Sequence, residues 1–272
     1  MKPQPSGGFE WVQAAGGTAL VCGALRPFAD HLFTTREWAL GSRAEAADED
    51  WAAVAASLRV DPAHLVRMHQ VHGAAVVVRR AGEHAPAVGR PDADIVVSND
   101  PSLALAIQTA DCVPLLIADR VTGAVAAAHA GWRGLAARVP SVTVQAMADT
   151  FGTRAADLIV AIGPSICADR YEVGEEVRAA FAAAGFSRAE LSRWFLNGTR
   201  SEHWQFDGWR AAQDQLEAAG LPPGHIHAAG FCTATYPDLF CSYRRDGKGA
   251  GRIAAALRSS AARASSGSAD RP

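Results

Sequence analysis

The feature that most restricts this chain is a pair of almost wholly apolar runs, VPLLIA over 113–118 and AVAAAHA over 124–130, separated by Asp119-Arg120-Val121-Thr122-Gly123. Runs this short and this apolar read as strands buried in a sheet, and a polar interruption ending in glycine closes them into a hairpin. Similar runs predict strands over 18–25, 74–78, 95–97, 103–107 and 158–162. Apolar positions at helical spacing predict helices over 44–58, over 175–184, and from an N-cap at Asp207 to a stop at Gly220. The expected fold is α+β: a single domain over residues 1–258, with mixed β-sheets flanked by helices. Residues 82–91 read as a surface loop, and the small, polar residues of 259–272 as a disordered tail.

Charge narrows the class of partner. With 26 basic and 28 acidic side chains the net charge is −2, so no overall field draws in nucleic acid or an anionic membrane. No stretch reaches the roughly 18 apolar residues of a membrane span, and the N-terminal MKPQPSGGFEW lacks the apolar run of a signal peptide, so a cytoplasmic location is expected. The five cysteines, at 22, 112, 167, 232 and 241, show no C-x-x-C spacing and fit neither a disulfide framework nor a ribbon-type zinc site. They are expected to be thiols, some of them ligands or nucleophiles.

Cys112 and His129 stand at the two ends of the hairpin. A turn centred between Arg120 and Val121 sets them opposite each other, with Cβ atoms about 4.5–5.5 Å apart, close enough to share a metal ion. A buried small thiol and a hydrogen-bonded strand-end histidine would satisfy the same pattern. The Gly131-Trp132-Arg133-Gly134 that follows brings close-approach glycines and a guanidinium beside the pair, as at the rim of an anion site. Met68-His69-Gln70-Val71-His72-Gly73 offers two histidines on opposite faces of an extended segment, of which one is useful; His72 sits where the chain turns into a strand. His225 and His227 form an H-x-H that reads as structural or exposed.

The segments MHQVHG, TADCVPLLIAD, HAGWRG, AIGPSI with YEVGEEV, and SYRRDGKGAGR occur in the order found in a known family. On these motifs, over roughly residues 30 to 257, the chain resembles the YfiH-type laccase-domain proteins, formerly called multicopper polyphenol oxidases and now regarded as purine nucleoside phosphorylases. The resemblance implies zinc, rather than copper, held by His72, Cys112 and His129. It implies phosphorolysis of adenosine and inosine, and of methylthioadenosine as a further substrate, with adenosine deamination as a companion reaction. The partners would then be a nucleoside and phosphate.

Phosphorolysis needs an anion held beside the anomeric carbon and a stabilised leaving purine. The candidates for phosphate are Arg133, Arg244, Arg245 and Arg36, and those for proton transfer are Asp111 and Glu172. Bland roles stand beside them: Asp111 as a hydrogen-bond acceptor, Arg244 and Arg245 as a solvated pair. The chain departs from the family pattern after Thr34-Thr35-Arg36, where Glu37-Trp38-Ala39-Leu40-Gly41 leads into a shortened region, and at Cys167, which stands alone where the family pairs two cysteines. Competing readings are a hydrolase with Cys112 as nucleophile and His129 as base, a copper-dependent phenol oxidase, and a zinc- and nucleoside-binding protein without turnover.

Overall fold

The computed structural model describes residues 2–41, 51–83 and 89–260. Six strands, β1 (Phe9–Ala14), β2 (Gly17–Cys22), β3 (Ala29–Thr34), β4 (Leu65–Val66), β7 (Ala104–Thr109) and β15 (Ile253–Ser259), form one sheet in the order β1-β2-β3-β15-β7-β4. A second sheet has the order β14-β10-β8-β9-β6-β5, from β5 (Val76–Arg79), β6 (Ile95–Ser98), β8 (Val113–Asp119), β9 (Val125–Ala130), β10 (Leu158–Ile162) and β14 (Ile226–Ala228). A small third sheet joins β11 (Glu172–Gly174), β12 (Phe195–Asn197) and β13 (His203–Phe206). The two large sheets are mixed: β4–β7, β5–β6 and β10–β14 pair parallel, the other neighbours antiparallel.

The strand period of two explains the layering. Leu116, Ala118, Val125 and Ala127 face the first sheet and share a core with Leu20, Phe33, Leu105, Ile107 and Ala255. Their alternates Leu115, Ile117, Ala126 and Ala128 face helices on the other side. These are α2 (Trp132–Ala136), α3 (Val139–Phe151), α4 (Glu175–Ala183), α5 (Arg188–Trp194) and α6 (Gly208–Ala218); Val144 and Met147 of α3, Phe181 of α4 and Leu216 of α6 are in contact with the sheet core. Covered on both faces, β8 and β9 have no place for a polar side chain except at their ends, which is why their sequences are continuous apolar runs. The outer face of the first sheet is closed by Trp38, Trp51, Val54 and Leu58, the last three in or beside α1 (Ala52–Ser57). A short α7 (Tyr243–Asp246) precedes β15.

The α+β reading, with mixed sheets and helices in one domain, agrees with this architecture. Several elements differ from expectation. The helix expected over 44–58 is described only as α1, residues 42–50 lying outside the described residues, as do 84–88 of the expected loop. Ser259, expected at the start of the tail, instead pairs with Ala29 at the end of β15, and 261–272 lie outside the described residues. Strands β1, β3 and β15 and helix α3 carry no strong local signal. IAAALRS is alanine-rich, and its strand state comes from pairing with β3 and β7, distant in sequence. In α3, Val142 is absent from the buried core but Val139, Val144 and the other β-branched residues obscure a helix that is delimited by left-handed residues, Arg138 (φ 60°) and Gly152 (φ 66°). Among the described residues no helix is long and apolar enough to cross a membrane.

Candidate metal centre and anion rim

Three residues, 110–112, carry the chain from β7 in the first sheet to β8 in the second, and Cys112 is the last of them. The Thr109 hydroxyl donates to the Cys112 carbonyl at 2.6 Å and fixes this crossing. His129 is the penultimate residue of β9, and His72 lies on the loop before β5. The ligand atoms of His72, Cys112 and His129 all lie within 4.8 Å of one another, the two imidazoles edge to face with centroids 4.9 Å apart.

The hairpin register is not the one expected. His129 pairs with Pro114, and Val113 with Ala130, because the turn is longer and sits later: Asp119 Oδ1 accepts from the backbone N–H of Val121 and Thr122, and Asp119 N donates to Ala124 O at 2.8 Å. The slip is two residues, so Cys112 keeps its side of the sheet and becomes a diagonal rather than a direct neighbour of His129. The position across from Cys112 falls instead to Gly131. A Cβ there would stand 2.8 Å from Cys112 Sγ and 3.1 Å from His72 Cδ2, so glycine makes the space the cluster occupies.

Asp94, which the motifs did not single out, holds the cluster together. Its carboxylate is fully buried and accepts from the backbone N–H groups of Val71 (3.2 Å), His72 (3.0 Å) and Gly73 (2.7 Å) and from His129 Nδ1 (2.8 Å). Its carbonyl accepts from His129 N at 2.8 Å. His72 takes a left-handed φ of 63°, at a cost of about 1 kcal/mol or more for a residue with a Cβ, and the Asp94 carboxylate holds it there. With Nδ1 of His129 committed to Asp94, Nε2 is the nitrogen turned to Cys112 and His72.

The electrostatics follow from burial and proximity. Burial works against ionisation of Asp94, but the hydrogen bond and charge of His129, with the N–H groups of Gly73 and His72, bring its carboxyl below the ordinary range. Burial also opposes the Cys112 thiolate, yet the His129 charge and the hydrogen bonds from His129 and His72 lower the thiol to about 6. His129 moves the other way: against burial, the Cys112 charge and the Asp94 hydrogen bond raise it to about 9. Without a metal the pair is thus thiolate and imidazolium near neutrality. Two imidazoles and a thiolate are a borderline-soft donor set of the kind zinc takes, and donors around a tetrahedral zinc stand about 3.3–3.8 Å apart. The three ligand atoms, all within 4.8 Å of one another, could close on such an ion.

A second group of residues forms the rim. Tyr171 lies beside Cys112, its hydroxyl pushed up by burial and then by the Cys112 charge, and the Arg133 and Arg244 guanidinium groups both act on it. Arg244 lies 4.8 Å over the Tyr171 ring and donates to Glu172 O at 2.7 Å; Arg133 lies 4.2 Å over Trp132. Between rim and cluster is a cavity of about 30 Å³ lined in part by Asp111, Cys112, Gly131, Trp132 and Tyr171, enough for about one water.

The remaining expected residues occupy other positions. Both oxygens of Asp111 are engaged, Oδ1 by the Thr233 hydroxyl and Oδ2 by Arg244 N, each at 2.6 Å, so Asp111 ties the Cys112 loop to the start of α7. Glu172 points into the small third sheet, where hydrogen bonds from Thr199 and Arg200 lower it to about 2. Arg245 donates to Thr233 O, Phe240 O and the Asp246 carboxylate. Arg36 donates to Pro237 O, and its charge bears on Cys241 and Asp246 rather than on Tyr171. His225 and His227 stand at β14, apart from the cluster. All five cysteines are free.

The chain is similar to known proteins over most of its length. The family model described as multi-copper polyphenol oxidoreductase laccase matches residues 34–259. A Deinococcus radiodurans protein named purine nucleoside phosphorylase is 40% identical over 209 residues, 77% of this chain and 76% of its own. The Escherichia coli purine nucleoside phosphorylase YfiH is 38% identical over 193 residues, 71% of this chain and 73% of its own. Among solved structures, YlmD from Geobacillus stearothermophilus superposes with a TM-score of 0.78 at 28% identity, covering 92% of this chain and 98% of that one. With the family model spanning most of its length and relatives this close, the chain belongs to the multi-copper polyphenol oxidoreductase laccase family, the YfiH-type laccase-domain proteins.

Proposed function

We infer that this protein is a zinc-dependent purine nucleoside phosphorylase acting on adenosine and inosine, with methylthioadenosine as a further substrate and adenosine deamination as a side activity. The observation that carries the reading is a three-donor cluster whose Cys112 shares a cavity lining with Tyr171 and Trp132, the two rings on which Arg244 and Arg133 rest. The names of the relatives support the nucleoside chemistry.

His72, Cys112 and His129 would hold the metal, and three protein donors are the set of catalytic rather than structural sites. When bound, zinc supplies Lewis-acid stabilisation of developing negative charge. Phosphorolysis forms a bond from a phosphate oxygen to C1′ of the ribose and breaks the bond from C1′ to the purine N9. Arg133 and Arg244 are the groups suited to the phosphate: both are planar cations at the rim, and both are braced by aromatic faces, which limits the freedom lost on binding. The leaving purine carries the electron pair of the broken bond, so a cation or proton donor must face it. Glu172, lowered to about 2, is ionised near neutrality and accepts rather than donates. Asp111 acts through Arg244, whose N–H it holds. The cavity beside Cys112 is too small for a nucleoside, so substrate lies on the rim side of it.

Phosphate-dependent release of hypoxanthine from inosine tests the reading. The activity is expected in the metal-loaded protein and lost in Cys112→Ser; release that needs no phosphate, or a Cys112→Ser protein of full activity, overturns it. The thiolate–imidazolium pair also favours a second reading, Cys112 as a nucleophile with His129 as its base. Alkylation separates the two: zinc protects a coordinated Cys112 thiolate, whereas a catalytic thiolate reacts equally with and without zinc.

A further inference from the structure

Away from the cluster, two cysteines that the proposed reaction does not use lie side by side. Ser165 and Cys232 form an isolated parallel bridge, with Ser165 N donating to Phe231 O and Thr233 N to Ser165 O, each at 3.1 Å. Two residues on from Ser165, the backbone N–H of Cys167 points at Cys232 Sγ, 3.3 Å away. Burial and then the neighbouring Cys232 push the Cys167 thiol up to about 11. Cys232 is 5% exposed and Cys167 is partly exposed, so one sulfur is shielded and its neighbour open to solvent. Burial works against ionisation of Cys232, but the Cys167 thiol and the Thr235 hydroxyl and N–H outweigh it and bring Cys232 below the ordinary thiol range.

Both strands of this junction hold the site. Ile166 N donates to Asp111 O at 3.0 Å, and the Thr233 hydroxyl donates to Asp111 Oδ1. The pair therefore joins the two segments that fix the loop before Cys112. We propose that Cys167 and Cys232 are a redox-active dithiol that a hydroperoxide converts to a disulfide, stapling the 165–167 segment to the 232–233 segment. The Cys232 sulfur, the more acidic of the two, attacks the terminal oxygen of the peroxide and becomes a sulfenic acid, and the hydroxide released leaves as water with a solvent proton. The open Cys167 sulfur then attacks the Cys232 sulfur, the S–S bond forms, and the departing hydroxide takes the Cys167 proton as a second water. Two thiols lose two electrons and hydrogen peroxide is reduced to two waters.

The test treats the full-length protein with stoichiometric hydrogen peroxide, blocks remaining thiols by alkylation, and maps peptides by mass without reduction. A linked Cys167–Cys232 peptide, two hydrogens lighter than its parts and separated by dithiothreitol, is expected. It is expected to vanish in both Cys167→Ser and Cys232→Ser; Cys167→Ser alone decides if the buried Cys232→Ser protein does not fold. Because the link closes a long loop, oxidation should also raise the thermal midpoint by about 5 °C, and only in the parent protein. Cys167 recovered as a sulfinic acid, or linked to any other cysteine, overturns the assignment. A linked pair with an unchanged midpoint overturns the staple.

Discussion

The cluster and the rim of the candidate site are built on opposite terms. In the cluster a buried carboxylate, Asp94, satisfies three backbone N–H groups and one imidazole, and so ties the loop before β5 to the end of the buried strand β9. At the rim Arg133 and Arg244 are exposed, resting on aromatic faces, and Arg244 is placed through its backbone by Asp111. A metal requires donors fixed to fractions of an ångström. An anion that arrives and leaves each turnover is served by cations that are steered but still solvated. Rigidity is concentrated where the proposed ligand stays, and freedom where it exchanges.

The largest effect that could break this comparison is loss of a donor. Cys112→Ser or His129→Ala is expected to abolish zinc retention in dialysed protein and to lower phosphorolysis about 10³-fold, as removal of several kcal/mol of charge stabilisation would; a zinc content unchanged by metal analysis would remove these residues from the donor set. Acidity probes the same region. With Cys112 at about 6 and His129 at about 9, zinc displaces one proton between those values, so its apparent affinity should rise tenfold per pH unit there and more steeply below. Chelator competition across that range measures the slope, and a flat profile would show that the thiolate–imidazolium pair is not the metal's competitor.

A smaller loss should come from Asp94→Asn, which keeps the shape but donates where the carboxylate accepts. Zinc affinity is expected to fall about 10- to 100-fold, with the rim untouched and KM for phosphate unchanged. At the rim, Arg244→Ala and Arg133→Ala should each raise KM for phosphate about tenfold at unchanged zinc content. Arg245→Ala is expected to do the reverse, lowering Tm by a few degrees through the lost bonds to Thr233 O and Phe240 O, at about 1–2 kcal/mol, with phosphate KM held. Similar kinetic penalties from Arg244 and Arg245 would erase the distinction between rim and brace.

What the sequence could reveal followed the range of the interaction. The runs of β8 and β9 announce themselves because every position in them is buried, and a hairpin is a local event. Its register was misplaced because Asp119 builds the turn with its own side chain, yet an even slip leaves faces unchanged, so Cys112 and His129 still meet. His72 was separable from His69 by motif resemblance alone, and the structure sets His69 on Asp92 instead. Asp94 was not legible: its partners lie more than twenty residues away on either side, and an aspartate before an apolar run is otherwise an ordinary strand start. The four candidate arginines look alike in sequence. Only folding shows that Arg245 commits its donors to carbonyls and the Asp246 carboxylate, while Arg133 and Arg244 rest on the rings of Trp132 and Tyr171.

The Val71–Gly73 loop has a further consequence. Three consecutive N–H groups converging on one point form the kind of concavity that elsewhere captures a phosphate. Here the chain supplies its own anion, the Asp94 carboxylate, so this receptor is permanently self-occupied. An incoming oxyanion finds no vacancy on the histidine side of the cluster, because the negative charge there is already built in behind the donors.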